Sequence, residues 1–280
     1  MRKYRIVQYG AGQIGSEVVK LAIEKGYNVL GAVDIRNIGE NFGKMIGLKK
    51  KIKIYHPDEL KKLKPDVVIH STNSFIRYAL PQIEHCIKCG ADVISTTEEL
   101  AYPDKKIRNR IDMLSKKFGV TVLAAGVNPG FVMDTLPILM TGIFKRIESI
   151  EIKRVINLSS RRTQFQKKII SGFGHIGLRQ SAMLIADSLN WKIDIKEIKE
   201  KIPGGLKQAV IARSGKRKII LELQAYTDAK PEDVIKINDL KVLTNGIHGD
   251  LATVAILVNS IPKVIQSEPG FKVLSDFLPW

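Results

Sequence analysis

The chain has 280 residues, 44% of them hydrophobic and 26% charged, which suits a sizeable core in one or two domains and excludes a disordered chain. No apolar run approaches the roughly 20 residues of a membrane-spanning helix, and MRKYRIVQYGAG enters a strand without a signal-peptide core, so a cytoplasmic protein with no membrane partner is expected. Lys and Arg outnumber Asp and Glu by 45 to 28, a net charge of +17, but they scatter over turns and polar helix faces without interleaved aromatics, which argues against nucleic acid as a partner.

Arg5 to Tyr9 reads as a short buried strand, and it stops at G-x-G-x-x-G, formed by Gly10, Gly12 and Gly15. A helical pattern follows at once, with Ile14, Val18, Leu21 and Ala22 on one face and Gly26 at its end. Gly10 permits the tight turn, Gly12 lets a pyrophosphate approach the backbone, and Gly15 allows helix and strand to pack closely. Gln13 and Ile14 open the helix, whose free N–H groups suit phosphate. A second strand, Asn28 to Val33, ends at Asp34, nineteen residues past Gly15, where a carboxylate meets the adenosine ribose. Arg36, two residues on, could instead pair with a 2′-phosphate. NAD or NADP is therefore the expected cofactor.

Further along, Lys51–Tyr55 reads as a strand and Pro57, Asp58 and Glu59 open a short helix. DVVIH (66–70) is a buried strand, Phe75–Lys88 a helix, DVIS (92–95) a strand, Pro103–Phe118 an amphipathic helix and TVLAA (121–125) a strand. Strands alternating with helices predict a doubly wound parallel sheet. After Gly130 the pattern changes. Phe131–Gly142 reads as a helix, Ile147–Leu158 alternates as a half-exposed strand, and His175–Asn190 is helical. Ile193–Ile202, Lys207–Arg213, Lys218–Ala225 and Val234–Ile237 then follow as strands, with a hairpin at Ser214-Gly215-Lys216. Asp250 is expected to N-cap an apolar helix, Leu251–Ile261. The predicted fold class is α/β: a Rossmann domain over residues 1–130, rejoined by 248–280, and an α+β domain on a mixed or antiparallel sheet over 131–247.

In such a sheet the ligand lies beyond the carboxyl ends of the strands. Four strand ends carry polar or glycine-rich turns: 10–15, 71–75, 95–99 and 126–130. Ser71, Thr72, Asn73 and Thr96 are candidates for ribose or nicotinamide contacts, and the first three could equally cap the helix after them. Asn128 could hold the nicotinamide carboxamide or the substrate, or only form a turn before Pro129, and both residues are counted among the cofactor-site candidates. Glu98 and Glu99, after a buried strand, are the acid–base candidates; the competing role is stabilising a helix N-terminus. His175, where a second-domain helix begins, is the next acid–base candidate. His248, where the chain returns to the first domain, is a candidate for substrate contact, the competing role of either histidine being structural, and Arg161 and Arg162 could clamp a carboxylate or be plain surface charge. Cys86 and Cys89 form C-x-x-C without a second pair, so packing near a helix end is expected rather than a zinc site, and no metal is assigned.

The combination of GAGQIG, HSTNSF, ISTTEELAYP, GVNPGFVMD, RRTQFQKKI, GHIGLRQS and GIHGDLATVAILVNSIP resembles the 2,4-diaminopentanoate dehydrogenase and native amine dehydrogenase family, related in fold to dihydrodipicolinate reductase. The resemblance implies NAD(P)-dependent, reversible oxidative deamination of a small amine or diamino acid by a homo-oligomer, a dimer or larger. It places the family's acidic STxEE residue on Glu98–Glu99. The stretch from Ile170 to Gly174 is shorter here than in similar proteins. The His-His-x-x-Lys signature of the dihydrodipicolinate reductases is absent; the basic stretch 161–168 stands nearest to it. Alternative readings are reduction of a cyclic imine in the manner of those reductases, and a non-catalytic NAD(P)-binding regulator.

Overall fold

A computed structural model describes residues 4–172 and 177–279. Its elements, in chain order, are β1 (Arg5–Tyr9), α1 (Gln13–Glu24), β2 (Asn28–Val33), α2 (Phe42–Met45), β3 (Ile54–Tyr55), α3 (Leu60–Leu63), β4 (Val67–His70), α4 (Ile76–Lys88), β5 (Asp92–Ser95), α5 (Lys105–Phe118) and β6 (Thr121–Ala124). There follow α6 (Thr135–Thr141), β7 (Ser149–Asn157), α7 (Thr163–Ile170), α8 (Leu178–Ser188), β8 (Asp194–Ile202), β9 (Gly205–Ser214), β10 (Arg217–Tyr226), β11 (Glu232–Ile237), β12 (Leu240–Thr244), α9 (Gly249–Asn259), α10 (Ile261–Ile265) and β13 (Gly270–Val273). Two compact units emerge: Met1–Gly126 with Thr253–Val273, and Val127–Ala252 with Leu274–Trp280.

The first unit holds a seven-stranded parallel sheet of order β13-β6-β5-β4-β1-β2-β3. β4 and β6 are buried at every position, as expected when both faces of a parallel sheet are covered. The chain runs outward from β1 through β2 to β3, then returns to β4 on the other flank of β1. The β1/β4 boundary is therefore the topological switch point, where such folds bind ligands. α10 packs on β5 and β6. β13, which joins β6 at the edge, escaped the sequence reading because GFKV is too short and too polar to stand out.

The second unit holds a six-stranded mixed sheet of order β12-β11-β7-β10-β9-β8, with β7 and β10 parallel and the remaining pairs antiparallel. Burial alternates along β10: Ile219, Leu221, Leu223 and Ala225 face the core. α8 lies against β9 and β10, α7 against β9 and α6 against β11. The opposite face is half-exposed and carries the ion pairs Lys218–Glu151 and Lys207–Glu222.

Three local expectations need correction. The strand over Lys51–Tyr55 shrinks to Ile54–Tyr55: Lys53 forms an isolated bridge to Asn41, and its carbonyl accepts Ala32 N–H at 3.0 Å where the ladder to β2 begins. The helix expected from Phe131 begins only at Thr135. The side chain of Asp134 accepts the N–H of Gly130 at 2.8 Å and of Thr135 at 2.6 Å, which holds the preceding residues as turns. Asp250 lies inside the first turn of α9 instead of capping it, its carboxylate being taken by Arg161 and Arg162; the N–H of Leu251 goes to His248 Nδ1 at 3.4 Å.

Candidate active site

The carboxyl edge of the parallel sheet is built by a continued ladder. Just past the strands, Gly10 N–H reaches Val33 O, Ser71 N–H reaches Tyr9 O, Thr96 N–H reaches His70 O and Ala125 N–H reaches Ser95 O, at 2.8 to 3.0 Å. The four turns singled out in the sequence therefore leave the sheet at one level.

At the switch point the glycines divide their work. Gly10 has φ +99°, and a Cβ there would lie 2.6 Å from the Ser71 carbonyl oxygen. A Cβ at Gly15 would overlap the Gly10 carbonyl and sit 2.9 Å from Gln8 Nε2. At Gly12 a Cβ would meet nothing within 4 Å. α1 begins here with no side-chain cap and no acid in its first turn, so its leading N–H groups have no side-chain acceptor. Asp34 closes the other side: Oδ2 accepts Ala11 N–H at 2.8 Å and Oδ1 accepts Arg36 N–H at 3.0 Å. These two bonds leave further lone pairs for ribose hydroxyls. The Arg36 side chain is 77% exposed, with Nε 3.8 Å from Asp34 Oδ1. An open space beside Gly12, an uncapped helix start and a fixed carboxylate fit a dinucleotide.

The polar turns tie the edge together. Buried Gln8 donates to Tyr9 O, Gly10 O and Ser71 Oγ. Thr72 donates to Gln82 Oε1 at 2.6 Å, and Asn73 Oδ1 accepts Phe75 N–H at 2.9 Å, an Asx turn ahead of α4. The two glutamates separate. Glu99 Oε2 accepts Ile76 N–H at 2.6 Å and so serves the N-terminus of α4, whereas Glu98 Oε1 accepts the Ser74 hydroxyl at 2.7 Å. The turns meet in the backbone as well, through Glu99 N–H to Ser74 O at 3.2 Å. Sequence reasoning passed over His70, a buried histidine ending an apolar strand, and Gln8; a polar residue inside a buried run was the available signal.

In the second unit, Asn128 is 9% exposed, and neither its amide nitrogen nor its side-chain oxygen has a hydrogen-bond partner. Such a group is costly to bury unless a ligand completes it. Its turn is fixed by Asp134, fully buried, which also accepts the Ser181 hydroxyl at 2.7 Å. Burial raises the Asp134 pKa against these hydrogen bonds. Asp134 was not among the sequence candidates. Pro129 packs where any Cβ at Gly177 would fall. Arg161 and Arg162 already have a carboxylate: Asp250 receives Arg161 Nε and Nη2 at 3.0 Å each, Arg162 N–H at 3.1 Å and the Arg162 guanidinium. Burial pushes Asp250 up, but the hydrogen bonds and charge of Arg161, with Arg162, hold it at about 2. The Arg161 guanidinium also lies 4.3 Å from the Phe165 ring centre. His248 Nε2 lies 3.1 Å from Ser160 O. His175 falls outside the described residues. Among the described residues no helix is long and apolar enough to cross a membrane, and no cluster of three or more His, Cys, Asp or Glu could hold a metal. Cys86 is buried and neither cysteine is in a disulfide.

A family profile described as the 2,4-diaminopentanoate dehydrogenase C-terminal domain matches residues 131–213. The chain is 29% identical to 2,4-diaminopentanoate dehydrogenase of Acetoanaerobium sticklandii over 338 aligned positions, covering 99% of this chain and 94% of the relative. That alignment is longer than the chain, so the relative carries insertions this chain lacks. The structure of amine dehydrogenase from Mycobacterium smegmatis shares the fold, with a TM-score of 0.84 at 19% identity over 100% of this chain and 97% of that one. Dihydrodipicolinate reductase from Paenisporosarcina sp. TG-14 shares it with a TM-score of 0.62 at 13% identity, covering 99% and 100%. Along its whole length, this chain resembles the 2,4-diaminopentanoate dehydrogenase and amine dehydrogenase family.

Proposed function

We propose that the chain is an NAD(P)-dependent oxidoreductase acting on a C–N bond, in the reversible oxidative deamination of a small amine or diamino acid. The observation that carries this reading is Glu98. It stands on the carboxyl edge of a Rossmann sheet, held by Ser74, in a chain similar throughout to a diamino-acid dehydrogenase.

A bound nicotinamide would supply the hydride acceptor. The glycine turn, the α1 N-terminus and Asp34 would hold the dinucleotide. Asp34 favours the ribose diol of NAD, while exposed Arg36 can meet a 2′-phosphate, so we propose that both cofactors are used. Glu98 takes a proton from the substrate ammonium as the C–H bond yields its hydride, leaving an iminium carbon. Once that proton has passed to solvent, Glu98 draws a proton from water as the oxygen adds to that carbon and returns it to the amine nitrogen, so that ammonia leaves as the hydroxyl gives up its proton and the carbonyl product forms. Holding substrate and cofactor at reacting distance supplies much of the remaining rate. Glu99 keeps α4 in place. In the second unit, Asn128, with one donor and one acceptor side open, is proposed to contact ligand. Because Asp250 occupies Arg161 and Arg162, we propose that they order the start of α9 rather than serve as an open clamp. A cytoplasmic homo-oligomer is the proposed form, in keeping with two unpaired cysteines and a half-exposed sheet face.

The test is a panel of short amines and diamino acids with NAD+ or NADP+, followed at the reduced-cofactor band. At least one amine is expected to give turnover that Glu98→Gln slows by about 10²–10⁴-fold with cofactor binding retained. No turnover across the panel by a protein that binds cofactor would favour the regulator reading. Full turnover in Glu98→Gln would place the base elsewhere.

A further inference from the structure

His70 ends β4 fully buried, its ring centre 5.4 Å from that of Tyr9. Its Nδ1 lies 3.0 Å from Ser95 Oγ and its Nε2 2.8 Å from Gln82 Oε1. A glutamine oxygen only accepts, so Nε2 carries the proton and Nδ1 is the acceptor facing Ser95 Oγ, whose single hydroxyl proton lies between Nδ1 and Thr97 Oγ1, 3.1 Å away. Burial lowers the imidazole to about 4, which keeps it neutral near pH 7. A residue needed only to fill space would not require a polar ring, which costs free energy to bury unless both nitrogens are bonded.

Each nitrogen serves a different turn. On the Nδ1 side, Ser95 Oγ accepts Thr97 N–H at 3.2 Å, and the Thr97 hydroxyl donates to Asn73 O at 2.9 Å. On the Nε2 side, Thr72 Oγ1 lies 3.1 Å from the ring nitrogen and donates to the same Gln82 oxygen. The two turns joined in this way meet where Ser74 donates to Glu98.

We infer that His70 is a positioning residue: its two-sided hydrogen bonding sets the spacing of the turns after β4 and β5, and so the place of the Glu98 carboxylate. This rests on Glu98 being the base. A misplacement of about 1 Å at a reacting group costs on the order of 100-fold in rate.

The experiment measures kcat, amine KM, cofactor Kd and melting temperature for His70→Asn, which keeps a polar group near Ser95 and loses the Gln82 link, and for Ser95→Ala. Both are made in the parent and in Glu98→Gln. In the parent, kcat is expected to fall about 10- to 100-fold with KM and cofactor Kd within about threefold. In Glu98→Gln the same changes are expected to cost less than about twofold further, because residues acting through one group are not additive. Parent-like kcat in folded variants overturns the inference, as does an equal loss in both backgrounds. If Glu98→Gln itself turns over like the parent, the base assignment fails and the inference with it; an equal loss in both backgrounds sinks the positioning role alone. Should His70→Asn not fold, Ser95→Ala and Gln82→Leu carry the same comparison.

Discussion

Replacing Gly12 by valine separates cofactor binding from folding. Gly12 is the N-cap of α1 with φ −87° and ψ −168°, extended backbone open to any residue, and a Cβ there meets nothing within 4 Å. Gly12 offers no side-chain cap to lose, so the fold should lose at most about 1 kcal/mol, a melting shift of about 2–4 °C. The branched side chain would instead fill the space over the leading N–H groups of α1, where a pyrophosphate must come close. We expect cofactor Kd to rise at least about 100-fold, equivalent to about 2.7 kcal/mol. Gly15→Val is the contrast: its Cβ overlaps the Gly10 carbonyl and crowds Gln8, so the backbone must shift, at a cost of about 1–3 kcal/mol or more. The assay pairs a fluorescence titration of reduced cofactor with thermal melts in its absence and presence. Parent and Gly12→Val should melt within a few degrees of each other when apo, and only the parent should gain stability as cofactor is added. Parent-like affinity in Gly12→Val would refute the glycine assignment. A melting temperature as low as that of Gly15→Val would show that Gly12 is a packing residue.

Asp34→Ala, by removing the acceptor for ribose hydroxyls, should shift preference toward NADP; an unchanged ratio of NAD to NADP efficiency takes Asp34 out of the ribose site. Glu99→Ala should cost about 1–2 kcal/mol through loss of the bond to Ile76 N–H while kcat stays near parent, and a collapse of kcat would reverse the roles of the two glutamates. Asp250 has a folded pKa of about 2, below its unfolded value near 3.9, so its stabilisation is complete above about pH 4 and fades as pH falls toward 2. Asp250→Asn should therefore lose about 1–2 kcal/mol at pH 7 and flatten the acid limb of urea-melt stability against pH; an unaltered limb counts against the arginine pairing. Asp92 behaves oppositely. Burial lifts it to about 6 although Thr121 N–H donates to it, so the folded state holds its proton longer and stability falls as pH rises from about 4 to 6. Asp92→Asn keeps an acceptor and should be the more stable form at pH 7; lower stability there would contradict the burial argument.

Local pattern was enough for the central strands of the first unit's parallel sheet and for its glycine motif, though not for the edge strand β13. A buried parallel strand reads as an apolar run, a glycine fingerprint is contiguous, and Asp34 follows at a set distance, so β1, α1, β2, β4 and β5 were all legible, as was the edge on which their turns gather. The hairpin at Ser214–Lys216 was legible for the same reason: turn residues stand between alternating strands. What the sequence left open was every choice among partners distant in the chain. It offered both Glu98 and Glu99 as acid–base candidates; only the docking of α4 gives Glu99 the Ile76 N–H and Glu98 the Ser74 hydroxyl. It offered Arg161 and Arg162 as a carboxylate clamp, and the carboxylate that takes both is Asp250, 88 to 89 residues later in the chain. It passed over His70 and Asp134 because a buried polar side chain has no periodicity of its own. Its meaning lies in the groups that tertiary packing brings within 3 Å: Ser95 and Gln82 for one, Gly130 and Ser181 for the other. Backbone pattern is a short-range property and shows in the order of residues, whereas pairing of buried donors and acceptors is enforced by desolvation and is decided only when the chain closes on itself.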